Sequence, residues 1–146
     1  MVWIFLLLIT LLAFLFLKKE EHLAEAMYGG FILAVVDVVF QSIGEILGLW
    51  TSTGSILKIF GAPLEVLLIA FFGAIIFLQY LPDGLGEKLL YVLIVSLICT
   101  VIEIGLIRVD VLSYAEGWNS FFCMVSYIAV LSGIVFIYER LILPKV

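Results

Sequence analysis

Five apolar runs follow one another along the chain, separated only by short polar punctuation. They cover about residues 2–17, 23–50, 62–81, 87–109 and 118–143. A membrane-crossing helix takes ~20 mostly apolar residues, so five of them leave little of a 146-residue chain for anything else. The composition is 66% hydrophobic with a mean hydropathy of +1.36, against roughly 45–50% apolar in soluble domains. A water-soluble fold would have to expose much of that surface. The expected fold class is therefore all-α: a single transmembrane domain, a bundle of about five helices spanning residues 1–146.

The first run, Val2 to Leu17, is stopped by Lys18, Lys19, Glu20, Glu21 and His22. It lacks the basic leader and small-residue cleavage site of a secretory signal, and reads as a short retained span. Turn signals separate the later runs: Thr51 to Ser55, Pro82-Asp83-Gly84, and Ser113 to Gly117. Pro63 suits the first turn of the third helix, where its missing N–H costs nothing. Trp3, Trp50, Tyr80 and Trp118 fall near span ends, as interfacial aromatics do. With five spans, Lys18, Lys19, Lys88, Arg140 and Lys145 share one side, and Lys58 and Arg108 the other. The basic side faces the cytoplasm, which sets the N-terminus outside and the C-terminus inside.

A net charge of −5 without a basic cluster excludes a nucleic-acid partner. Cys99 and Cys123 lie in apolar runs without metal-ligand spacing and read as packing residues. The carboxylates show no fixed ligand pattern for a cation, and no metal or cofactor is expected. His22, the lone histidine, reads as a solvated turn residue.

The chemistry-bearing residues are acids inside the spans. Asp37, Gln41 and Glu45 recur every four residues, so successive members turn only about 40° around the helix. Gly44 and Gly48 lie on that face in a G-x-x-x-G pattern, which admits a close partner helix, in the bundle or in an oligomer. A charged group at mid-span costs about 2.5–3.5 kcal/mol on the insertion scale. Asp37 must therefore face protein or water, or carry a proton. Ser96, Cys99, Thr100 and Glu103 form a comparable stripe on the fourth span. Glu65 suits either the N-terminal dipole of the third helix or a functional role. With alternating spans, Glu45, Glu65, Glu103, Arg108, Asn119, Ser120 and Cys123 fall toward the outer side. Asp37 lies deeper, with Tyr127 near its level. The expectation is one outward-facing acidic pocket, with Asp37, Glu45, Glu65 and Glu103 as catalytic candidates and Gln41, Arg108, Asn119 and Tyr127 as polar lining.

The segment from Asp37 through Gly48-Leu49-Trp50 and Gly61-Ala62-Pro63-Leu64-Glu65 to Phe71-Phe72 resembles the small membrane-embedded lycopene cyclase domain. The resemblance covers about 40 residues, and Val66 stands where that family carries a second motif acid. It implies a membrane helix bundle acting on a long polyene, with Asp37 and Glu65 matching the family's acids. Carboxyl groups would protonate a double bond and later accept a proton, turning an acyclic end into a ring.

Three functions fit these residues: an enzyme acting on an isoprenoid or other lipid, a proton- or cation-coupled transporter or channel component, and a non-catalytic assembly subunit. The first needs a closed cavity where the carboxyls meet. The second needs a polar path past Asp37 to the cytoplasmic side. The third would put the acidic face in an oligomer interface. The bilayer itself, and an isoprenoid or other hydrophobic ligand, are the expected partners.

Overall fold

The computed structural model describes residues 1–143 and is mostly helical. Five helices run in chain order: α1 (Val2–Leu17), α2 (Leu23–Ile46), α3 (Leu64–Gln79), α4 (Leu85–Arg108) and α5 (Ser120–Ile137), the last continued by a π-helical turn, Tyr138–Ile142. Leu23–Ile46, Leu85–Arg108 and Ser120–Ile142 are long and apolar enough to cross a membrane. At 1.5 Å per residue they reach about 35 Å, and the 16-residue α1 and α3 about 24 Å. Lys145, counted above among the basic residues, lies outside the described residues.

Four short strands stand between the helices: β1 (Trp50–Ser52), β2 (Lys58–Ile59), β3 (Ala62–Pro63) and β4 (Leu112–Tyr114). They were not anticipated and shorten the second span. The helix stops at Ile46, Gly48 turns the chain at φ +65°, and Trp50 enters β1 rather than closing a helix. β1 pairs antiparallel with β4, Trp50 opposite Tyr114 and Ser52 opposite Leu112. β2 and β3 form a hairpin through Phe60 and Gly61, both at positive φ as a two-residue type I′ turn requires. Pro63 sits one residue before the α3 helix, as its N-cap.

The helices alternate in direction, which gives the molecule two distinct ends. At the ribbon end, the Trp3 indole at the start of α1 donates to the Thr53 carbonyl at 2.7 Å. At the opposite, lysine-bearing end, Gln79 and the Lys19 backbone exchange hydrogen bonds, Tyr80 donates to the Leu17 carbonyl at 2.9 Å, and Lys88 pairs with Glu139.

Packing divides the helices into a slab of α1, α3 and α2 and a hairpin of α4 and α5. The closest approach in the slab uses Gly29 and Gly30. A Cβ at Gly30 would lie 2.9 Å from the Phe71 carbonyl of α3. The small-residue contact thus falls at the start of α2 and not at Gly44 and Gly48. Gly44 is covered by the chain's own Trp50, and Gly48 lies beyond the helix. Slab and hairpin meet at both ends. The Phe77 and Tyr91 rings stack 5.0 Å apart near the lysine end, over a core that includes Ile75, Leu78, Leu131 and Ile134. At the other end β1 and β4 join them over Trp3, Trp50, Leu106 and Leu112.

Candidate functional site

Between these two ties the halves stand apart around a cavity of about 350 Å³, lined by all five helices and by the ribbon. Trp50, Leu112 and Trp118 roof it, and Phe77 and Leu131 form its floor. The walls are mostly apolar, with few polar groups: Asp37, Gln41, Ser52, Cys99, Glu103, Cys123, Ser126 and Tyr127. Ligand pockets have this character, an apolar enclosure with a few placed polar atoms, and start near this size.

Helical spacing brings these groups together. On α2, Asp37 and Gln41 are one turn apart on the inward face. The Trp50 indole donates to Gln41 Oε1 at 3.0 Å, which leaves the Gln41 amide nitrogen as the donor that faces Asp37. Among the described residues, Asp37 Oδ2 is shut away from solvent and has no hydrogen-bond partner. On α4, Cys99 and Glu103 are again one turn apart, as are Cys123 and Tyr127 on α5. The Tyr127 hydroxyl donates to Glu103 Oε2 at 3.0 Å, and the Cys123 thiol donates to the same oxygen. Above them, burial and the adjacent Glu103 carboxylate raise the Tyr114 hydroxyl of β4 above the usual tyrosine range. Asp37 and Glu103 line this one cavity from α2 and α4.

Of the four acids expected in one pocket, Asp37 and Glu103 line the cavity and Glu45 and Glu65 do not. Glu45 lies on the outer face of α2, 3.3 Å from the Lys58 ammonium and against Gly61. Helix α2 ends soon after it, so its side chain meets the hairpin and not the bundle interior. Glu65 is buried, and its Oε1 accepts the Ile56 backbone N–H at 2.7 Å. That bond fastens the loop between β1 and β2 to the start of α3 and turns the carboxyl away from the cavity.

The expected polar lining divides in the same way. Gln41 and Tyr127 are in the cavity. Arg108 is exposed in the last turn of α4, where a cation complements the helix dipole. The carboxylates of Glu103 and Glu65 take their hydrogen bonds elsewhere. Asn119 is the N-cap of α5, accepting from Phe121 N and Phe122 N. The α4 stripe splits too: Ser96 and Thr100 are buried off the cavity, with Thr100 bonded back to the Ser96 carbonyl at 2.8 Å.

The spacing argument missed the aromatic roof. Trp50 stacks on Phe40 at 5.1 Å and lies 4.9 Å from Trp118, so three rings form one wall beside the polar cluster. Phe40 stands three residues from Asp37 on one helix face, and that offset was the available signal. Among the described residues, no three His, Cys, Asp or Glu side chains are grouped to hold a metal ion.

Comparison with protein families, with curated proteins and with solved structures finds no match.

Proposed function

We propose that the chain is a multi-pass membrane protein whose interhelical cavity binds an isoprenoid or other long lipid and acts on it by carboxyl acid–base chemistry. The outer surface supports residence in a bilayer. Leu8, Leu12 and Leu15 on α1 and Leu89, Leu93, Leu97 and Val101 on α4 are 44–61% exposed. Apolar faces of that extent need a nonaqueous neighbour. All five helices lie in the membrane on this reading. The shorter α1 and α3 sit beside longer partners, and the lysine-bearing end faces the cytoplasm.

One observation carries the functional reading: two carboxyl groups from different helices line one largely apolar cavity. Asp37, with an oxygen free of partners, serves as the proton donor to a double bond. Glu103, held by Cys123 and Tyr127, serves as the acceptor. A proton added to a terminal alkene carbon leaves a carbocation, which ring closure moves along the chain. Loss of a neighbouring proton to Glu103 completes an isomerisation with no net change in atoms. The resemblance over residues 37–77 favours a polyene substrate. The acid pair here is Asp37 with Glu103, since Glu65 does not line the cavity. Passage of protons or cations is the weaker reading, because Phe77 and Leu131 close the cavity toward the lysine end.

The test is turnover of an acyclic polyene by the protein in lipid nanodiscs made up in D2O. Deuterium should enter the cyclised product, and Asp37→Asn or Glu103→Gln should abolish it while Glu45→Gln does not. Equal turnover in all three variants sinks the assignment of the acids. Absence of product and of deuterium uptake from every isoprenoid tried sinks the enzyme.

A further inference from the structure

Among the described residues, the cavity is lined by two acids and no base. Asp37 and Glu103 both line it and no described Lys, Arg or His does, while the residues at its two ends are apolar and aromatic. The two cations at the ribbon end are directed elsewhere. Lys58 reaches Glu45 on the far face of α2, and Arg108 is exposed at the end of α4. A carboxylate in an apolar enclosure is costly unless something neutralises it. Cys123 and Tyr127 supply hydrogen bonds to Glu103 but no charge. Asp37 Oδ2, shut from solvent and unpartnered, is a second open acceptor in the same space.

The aromatic wall points the same way. Phe40, Trp50 and Trp118 pack against one another and border the cavity beside Asp37 and Gln41. Aromatic faces attract cations, tryptophan most strongly, and bind quaternary ammonium groups that cannot donate hydrogen bonds. Acid, open acceptor and indole faces therefore meet around one volume, while the rest of its lining suits a hydrocarbon tail.

From this we infer that the cavity is a binding site for a lipophilic monocation, an alkylammonium-class amphiphile whose head lies between Asp37, Glu103 and the Trp50–Trp118 wall. The inference rests on the reading of the cavity as a ligand site and not on the acid–base step, since a head between Asp37 and Glu103 stands where a reacting double bond would. The head supplies the positive charge that no described side chain lining the cavity provides, and the tail runs toward Phe77 and Leu131.

The experiment compares three probes with one tail: decyltrimethylammonium, decanol and decanesulfonate. Each is titrated into the full chain in zwitterionic nanodiscs and read by tryptophan emission and equilibrium dialysis, with empty nanodiscs subtracted. Decyltrimethylammonium should bind saturably at one site, about ten-fold or more tighter than decanol, with decanesulfonate weaker still. Glu103→Gln and Asp37→Asn should each remove most of the cation preference, and Glu103→Asp should retain it. Trp118→Leu should weaken the cation about 2- to 30-fold, by more than it weakens decanol, and Glu45→Gln should change neither. Decanol binding as tightly as the cation overturns the inference and leaves the hydrophobic site standing. Failure of all three probes overturns both. The wild-type comparison stands even where a carboxyl variant does not fold.

Discussion

The Trp50 indole occupies the space where a Cβ on Gly44 would be, so that the last turn of α2 carries the ring directly on its backbone. From this seat the indole reaches Gln41 and stacks on Phe40. Gly44→Ala forces the ring outward. Overpacking of this kind typically costs about 1–3 kcal/mol. The expected result is a lower midpoint of thermal unfolding in detergent, together with red-shifted tryptophan emission as the roof opens. An unchanged midpoint and spectrum would show that the ring has another seat.

Glu65 tests the division between architecture and chemistry. Glu65→Gln keeps an oxygen for the Ile56 N–H, whereas Glu65→Ala leaves that donor without its partner. Loss of a partner to a buried group costs ~1–3 kcal/mol. Glu65→Ala should therefore destabilise the protein and Glu65→Gln much less, with ligand affinity near wild type in both. A selective loss of turnover in a stable Glu65→Gln protein would return this acid to the site.

Tyr127→Phe removes one of the two donors to Glu103 without removing a ring. The expected cost is ~1.5–3 kcal/mol for a hydrogen bond to a charged acceptor. Calorimetry or chemical denaturation of the purified protein checks the cost. A drop in turnover larger than the drop in stability would separate positioning of Glu103 from simple packing.

Phe60 adopts φ +50° at the tip of the β2–β3 hairpin. A non-glycine residue in left-handed geometry is held there at a cost of ~1–2 kcal/mol, and asparagine tolerates it better. Phe60→Asn should keep or raise stability if backbone strain decides. A fall would mean that the 82% exposed ring contributes through contact with lipid.

Orientation is open to direct measurement. In sealed right-side-out vesicles, a cysteine at Lys58 should react with an impermeant maleimide, and a cysteine at Lys19 only after the membrane is opened. Cys123 is buried and Cys99 lies within α4, so the background should be low. The reverse pattern would invert the topology.

Much of the helical framework is legible in the sequence, because apolar runs and polar breaks are local signals. The break at Lys18 to His22 and the start near Leu23 coincide with helix ends in the structure. The same local logic places Asp37 and Gln41 on one face. It fails where the chain folds back on itself. Nothing near Trp50 in sequence announces its pairing with Tyr114, and Glu65 is directed by an N–H nine residues earlier. Helical periodicity put Glu45 with Asp37 and Gln41, whereas its carboxylate meets Lys58 and Gly61 of the hairpin. Depth along the bundle was thus a better guide than membership of the cavity, since closeness to the same end does not decide which way a side chain turns.

The β1–β4 ribbon also sets an order of events. Thr51 and Ser113, hydrogen bonded across it, are 62 residues apart. A chain made from its N-terminus completes α1, α2 and α3 while β1 still has no partner. The roof cannot shut until β4 emerges, so the space beneath Trp50 stays open during synthesis.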